Sequence, residues 1–246
     1  MKKYLLILTI VYSCSNNAQK VDTNGLKDTV QLKTIDSTYS KIYFENSKNI
    51  KETGLLIRKL KFGLWKEFNY AGDLVKATYY YYDTAQFKID IAELDFKSIN
   101  FNSHGLKLSI PKKFKEVELN QENILFALKK ENCSPNNFCP NYTFSYQNTS
   151  NYVLKDSISL LIEKLNSKFE KFKVVSIEKL NLGEEAYKIS FMASKINFSL
   201  GGIILIFKNN LKTFNLSYYG PNTKENEFIM QKAVIDEVIQ SITFSD

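Results

Sequence analysis

The side chains that most often do chemistry are scarce in this chain: one histidine, His104, and three cysteines, Cys14, Cys133 and Cys139, in 246 residues. A Ser-His-Asp or Cys-His mechanism has to run through His104, which stands beside Gly105, where a turn is expected. No serine sits in a Gly-x-Ser-x-Gly elbow. Leu200-Gly201-Gly202 lacks the lysine and the spacing of a phosphate loop. Glu184 and Glu185 follow Gly183 at a hairpin tip, where a solvated turn accounts for them better than a glycosidase pair does. Asp90, Glu93 and Asp95 gather three carboxylates without the glycine and regular oxygen spacing of a calcium loop. These residues imply no catalytic site, no metal and no cofactor. A hydrolase that works without histidine is the lesser alternative.

The two later cysteines ask for different chemistry. Cys133 and Cys139 enclose Pro135-Asn136-Asn137, which is turn chemistry, and the flanks ILFALKK and YTFSYQN read as strands. A disulfide closing this hairpin is the expectation, and it fits an oxidising compartment. It contributes about 2 kcal/mol on the chain-entropy account. A thiolate metal site lacks further ligands here, and a redox pair has two intervening residues rather than five.

Cys14 ends a short apolar run. Met1-Lys2-Lys3 is basic and Leu5 to Val11 is apolar, far short of the roughly 20 residues that cross a bilayer. Val11-Tyr12-Ser13-Cys14 resembles the bacterial lipobox, in which a branched residue and two more precede an invariant cysteine. The resemblance implies cleavage before Cys14 and a lipid-bearing N-terminus that ties the chain to a membrane. Each buried methylene contributes about 0.8 kcal/mol, so several acyl chains hold firmly where one does not. Plain secretion, with cleavage near Ala18, is the alternative. The polar stretch after Cys14 reads as a flexible tether. The expected home is a bacterial cell envelope, facing the periplasm.

Composition is ordinary for a globular protein: 44% hydrophobic, 14% aromatic and 24% charged. The net charge of +7 includes Lys2 and Lys3 of the leader, and the remaining lysines alternate with apolar residues instead of forming a stripe. That distribution argues against nucleic acid as a partner.

The elements that must position any site fall into two parts. In residues 40–99, Gly63 and Gly72 bracket Leu64-Trp65-Lys66-Glu67-Phe68, a turn follows at Ala71-Gly72-Asp73, and Leu74 to Tyr81 returns as a strand. GLWKEFNYAGDLVKATYY resembles the MORN-type repeat, a small antiparallel hairpin that needs neighbours to stack on. Trp65, Tyr79, Tyr80, Tyr81 and Tyr82 either line a binding face or form that sheet's core. Residues 83–104 read as a connector. Beyond them come strands at LKLSIP, ILFALKK and YTFSY, then a helix with Leu154, Ile158, Leu161, Leu165, Phe169 and Phe172 on one face. Four more strands follow, with Ile203 to Phe207 continuously apolar and so expected at the sheet centre. Pro221-Asn222-Thr223, with Glu225, reads as the capped start of a last helix.

This order, with GLKLSIPKKF at its start and IQSITF after the last helix, resembles the PsbP-like fold of photosystem accessory proteins and bacterial lipoproteins. The expected fold class is α+β: an antiparallel sheet with two long helices in an α/β/α sandwich, preceded by the small MORN-like β region. The expected organisation is a signal peptide at 1–13, a tether at 14–39, the small β region at 40–99 and the PsbP-like domain at 100–246. PsbP-like relatives with accessory roles imply a non-enzymatic envelope protein that binds another envelope protein. The alternative is a binding module for a small hydrophobic ligand or a cell-wall sugar.

Overall fold

The computed structural model describes residues 37–119, 121–131, 133, 138–148, 154–195, 198–222 and 227–244. The leader, Cys14 and nearly all of the tether lie outside the described residues, as does the expected capping segment at 223–226. All described residues belong to one unit, Asp36–Asp246.

The first five strands form a meander. They are β1 (Ser37–Tyr43), β2 (Ile50–Ile57), β3 (Leu60–Phe68), β4 (Leu74–Tyr81) and β5 (Thr84–Lys88), hydrogen-bonded in sequence order. Tight turns make this possible: Arg58 and Lys59 between β2 and β3, and Tyr82 and Asp83 between β4 and β5, take left-handed backbone. A 3₁₀ turn at Ile91–Leu94 leads into β6 (Phe96–Phe101), which pairs with β7 (Leu106–Pro111).

The largest sheet has seven strands. They are β8 (Phe114–Glu116), β9 (Ile124–Lys130), β10 (Asn141–Asn148), β11 (Lys173–Leu180), β12 (Glu185–Lys195), β13 (Phe198–Asn209) and β14 (Lys212–Pro221), in the order β11-β12-β13-β14-β10-β9-β8. Two helices accompany it, α1 (Leu154–Lys168) and α2 (Glu227–Gln240), and the short β15 (Thr243–Phe244) closes the chain against β7. The expected hairpin of ILFALKK with YTFSY is the β9–β10 pair, in register from Asn141 opposite Lys129.

β13 is the central strand, and its alternation divides the molecule. Ile203, Leu205 and Phe207 enter a core with Leu106, Leu108 and Ile110 of β7 and with Phe228, Ile235 and Val238 of α2. The intervening Ile204 and Ile206 are equally buried on the opposite face, because successive strand residues point to opposite sides. Gly201 and Gly202 follow the same rule. A side chain at Gly201 would strike the ring of Phe228, and one at Gly202 would strike Phe191, which packs with Phe169 and Phe172 just after α1. The Gly-Gly pair is thus a packing device, with a ring seated on each side of bare backbone.

The expected α/β/α sandwich with two long helices is wrong. The fold is mostly antiparallel β, with 57% of the described residues in strands and helices of only 15 and 14 residues. Three local features explain the difference. The apparent connector at 83–104 is strand β5, a 3₁₀ turn and strand β6. The first helix stops at Lys168, and Phe169 and Phe172 continue its apolar face only from the turn beyond it. Pro221 does not open a helix: it is the last residue of β14, paired with Leu200, where a missing N–H costs least.

The Gly201→Ala substitution tests the ring-on-backbone packing. Phe228 must move to admit a methyl group, so stability falls by about 1–3 kcal/mol. The expected readout is a lower urea midpoint with an unchanged slope.

Candidate functional site

The groups that sequence considerations single out as chemical are already engaged within the fold. Glu185 accepts a hydrogen bond from the Leu154 backbone N–H at 3.2 Å and another from the Tyr187 hydroxyl at 3.0 Å. It thereby satisfies the start of α1, where backbone N–H groups lack partners. Glu184 accepts from the Asn210 N–H at 3.0 Å across the β13–β14 turn. Glu93 is ion-paired to Lys113 at 3.2 Å and Lys130 at 3.1 Å, and Asp95 to Lys112 at 2.8 Å. Asp90 caps the 3₁₀ turn through the Ala92 N–H, which holds its carboxyl below the usual carboxylate range. Cys133 and Cys139 stand together as thiols, and burial, with a hydrogen bond between the two groups, pushes Cys133 up to about 11.

The aromatic candidates separate by face. Trp65 is only 2% exposed. Its indole lies over Gly54, where a Cβ would meet the ring at 2.5 Å, and its Nε1 donates to the Leu55 carbonyl at 3.0 Å. The Lys61 ammonium covers it at 4.4 Å and also sits over Tyr80, at 5.2 Å. Trp65 is therefore core to the small sheet rather than a docking residue. Tyr79 faces the other way, stacked on Phe87 at 5.1 Å and packed near Ala233 and Val234 of α2.

On that second face, two neighbouring cross-strand rows have different fates. Lys41, Thr53, Lys66 and Ala77 form one row across β1 to β4. Its β3–β4 end lies under α2, through an ion pair of Lys66 with Glu237 and contact of Ala77 with Ala233 and Val234. Two residues along each of β1 and β2, the next row begins with Tyr39 opposite Leu55 and Leu55 opposite Phe62. It continues through ring contacts of Phe62 with Tyr81 at 5.6 Å and Tyr82 at 5.4 Å. This row is open. Tyr39 is 46% and Tyr81 56% exposed, with Leu60 and Tyr82 beside them also exposed. Lys41, Arg58 and Lys59 border it, and among the described residues none of the three has an acidic partner. Choosing Tyr39, Leu60 and Phe62 from the sequence required the register, because the tyrosine run alone does not say which ring lies on which face.

A separate concavity, a cleft of about 200 Å³, lies where α2 meets the 3₁₀ turn and strands β8, β9, β10 and β14, with Glu93, Phe114, Tyr142, Tyr218 and Gln231 among its lining. Burial, with the Glu93 charge behind it, holds the Tyr142 hydroxyl far above its ordinary range, so it remains protonated and able to donate.

His104 lies elsewhere, against the rings of Tyr146 and Phe214, with Lys212 Nζ 3.0 Å from its Nδ1. Burial first, and then the Lys212 charge, lower its pKa. A base whose folded pKa is depressed favours the folded state only while it is neutral, so its contribution is lost as pH falls through the ordinary histidine value of about 6.5. Urea midpoints at pH 7.5 and 5.5 should therefore fall further for the wild type than for His104→Gln.

No protein-family model and no curated protein matches the chain. Solved structures do. Cyanobacterial PsbP (CyanoP) from Synechocystis sp. PCC 6803 is 10% identical over 61% of this chain and 92% of its own, with a TM-score of 0.49. LpqN, involved in cell envelope biogenesis of Mycobacterium tuberculosis, is 11% identical over 61% of this chain and 91% of its own, with a TM-score of 0.43. A Pseudomonas aeruginosa protein of unknown function is 10% identical over 61% of this chain and 98% of its own, also at 0.43. At such identities and scores the likeness carries no argument about what this chain does.

Proposed function

We propose that this chain is a lipid-anchored, non-enzymatic envelope protein that acts as an adaptor, holding a second envelope protein against the open face of its small sheet. The observation that carries the proposal is the uncovered row of Tyr39, Leu55, Phe62 and Tyr81, continuous with the part of the same face that α2 already covers. Of the exposed large hydrophobic side chains, Tyr39, Leu60, Tyr81 and Tyr82 lie together at this end of the meander, around the half-buried Leu55 and Phe62. A clustered patch of this kind marks an interaction surface, whereas single exposed apolar residues do not.

Aromatic residues dominate interface energetics, and a basic border selects for the charge of the partner. Lys41, Arg58 and Lys59 supply that border, so the partner presents an apolar centre ringed by acidic residues. The lipobox-like Val11-Tyr12-Ser13-Cys14 and the polar stretch behind it would keep the adaptor at the membrane. A Cys133–Cys139 disulfide would follow from that oxidising location. Tryptic peptides from protein isolated from the envelope under non-reducing conditions should contain the two cysteines linked, and alkylation of both as thiols would exclude the bond.

The adaptor reading is tested by a photo-crosslinking amino acid placed in turn at Tyr39, Tyr81 and, as a control, the exposed Val175 of β11. The first two positions should capture one protein in the envelope and the third should not. Tyr39→Ala and Tyr81→Ala should each weaken the purified complex by on the order of 2 kcal/mol, about thirtyfold. Cross-links to lipid alone, or binding that neither substitution changes, would sink the proposal.

A further inference from the structure

The meander begins with an edge. Among the described residues, β1 has β2 on one side and no strand on the other. Thr38, Tyr39, Lys41, Ile42 and Tyr43 are all exposed, and Ser40 is half-buried. An edge strand presents a row of unpaired N–H and C=O groups on which another strand can form. Which residues supply that row follows from one hydrogen bond. The Thr53 hydroxyl donates to the Ser40 carbonyl at 2.9 Å, so that carbonyl points toward β2. The two main-chain groups of a strand residue point to one side, and the side alternates along the strand. Tyr39 and Lys41 therefore turn their N–H and C=O groups to the open edge.

The sequence of β1, STYSKIY, then selects an occupant. Laid antiparallel against a second copy of itself and centred on Ser40, all seven residues are matched. Tyr39 stands opposite Lys41 of the second copy, and Lys41 opposite the second copy's Tyr39, so the outward groups of both form hydrogen-bonded pairs. Each lysine lies beside a tyrosine ring, a favourable cation–π contact. Thr38 faces Ile42, and Ser37 faces Tyr43. The neighbouring registers are worse. Centring on Lys41 sets two lysines directly opposite each other, which is destabilising. Centring on Tyr39 leaves Ile42 and Tyr43 beyond the end of the paired strand. A lysine on an edge strand deters indiscriminate pairing, and the register centred on Ser40 accommodates it.

We propose that two copies of the chain associate through β1, joining their meanders into one antiparallel sheet about a two-fold axis at Ser40. The interface is isologous, with the same strand used by both copies. It is also small, so the dimer is reversible and forms as concentration rises. The surface is the strand edge and the partner is the chain itself, so the inference does not rest on the adaptor reading.

Sedimentation velocity of the full chain, carrying Cys14→Ala so that it needs no detergent, reads the association over a dilution series. Wild-type β1 should give a monomer–dimer equilibrium. Lys41→Pro should abolish it, because the ring removes an N–H that faces the open edge while the β1–β2 bonds remain. Tyr39→Lys sets lysine against lysine at two places in the pairing and should weaken the dimer at least about tenfold. Tyr39→Glu sets a carboxylate against each lysine and should preserve the dimer or tighten it. Thermal melting checks that the variants fold, and the two Tyr39 substitutions decide alone if Lys41→Pro does not. A monomer at every concentration, a dimer that persists in folded Lys41→Pro, or equal effects of Tyr39→Lys and Tyr39→Glu would overturn the proposal. Tyr81→Ala separates this result from the adaptor test, since it should leave the dimer unchanged while weakening capture of the envelope partner.

Discussion

Helix α2 has to be buried on more than one side, and the rest of the molecule is arranged around that requirement. Phe228, Ile235, Val238 and Ile239 enter the large core beneath the seven-stranded sheet, while Ala233 and Val234 face the small meander. A helix this apolar has no broad solvent face on which to keep its charges. Its acidic residues therefore sit in the seams and draw a lysine from each neighbour: Lys66 of the meander pairs with Glu237, and Lys188 of β12 pairs with Asp236 at 2.9 Å. Lys188, whose side chain is only 7% exposed, also meets Glu178 at 2.8 Å. Removing one member of such a cluster leaves a charge stranded away from water, which is why these seams are specific even if each pair contributes little net energy. The helix fixes where the two sheets stand, where cover over the meander ends, and one wall of the cleft.

Strand alternation made much of the large sheet legible in the sequence. The apolar run Ile203 to Phe207 pointed to a strand covered on both sides, and both of its faces are buried. What periodicity concealed were elements whose apolar residues face only one layer. Ile99 and Phe101 lie opposite Leu108 and Leu106 of β7 and are half-buried against the core, as is Phe96, while Lys97, Ser98 and Asn100 are exposed, and these polar neighbours made that segment look like a connector. The same ambiguity lengthened α1 in the sequence. Phe169 and Phe172 keep helical spacing, yet they reach the core from a turn, because apolar spacing reports burial and not backbone conformation.

The candidate site was legible in composition but not in selection. Four consecutive tyrosines, 79 to 82, cannot all face one way on a strand. Tyr79 goes toward α2, Tyr80 lies under Lys61, Tyr81 joins the open row, and Tyr82 has already entered the turn with a φ of 46°. Trp65, the most conspicuous ring in the sequence, is spent on covering Gly54. Tyr39 and Phe62 entered the site only through register, set in part by the irregularity at Gly54/Leu55 in the β2–β3 pairing.

The chemical groups and the binding surfaces also differ in kind. Carboxylates that resemble a metal loop or a glycosidase pair in the sequence are spoken for in three dimensions by lysines, a helix start and a turn. The lone histidine is held by Lys212 and two rings. Catalysis needs groups whose proton or electron pair is free for a substrate at the operating pH, and groups committed to holding the fold together are poor candidates for that work. The row from Tyr39 to Tyr81 is the reverse case: apolar surface left in water. That exposure is a cost that the isolated chain carries and that association removes.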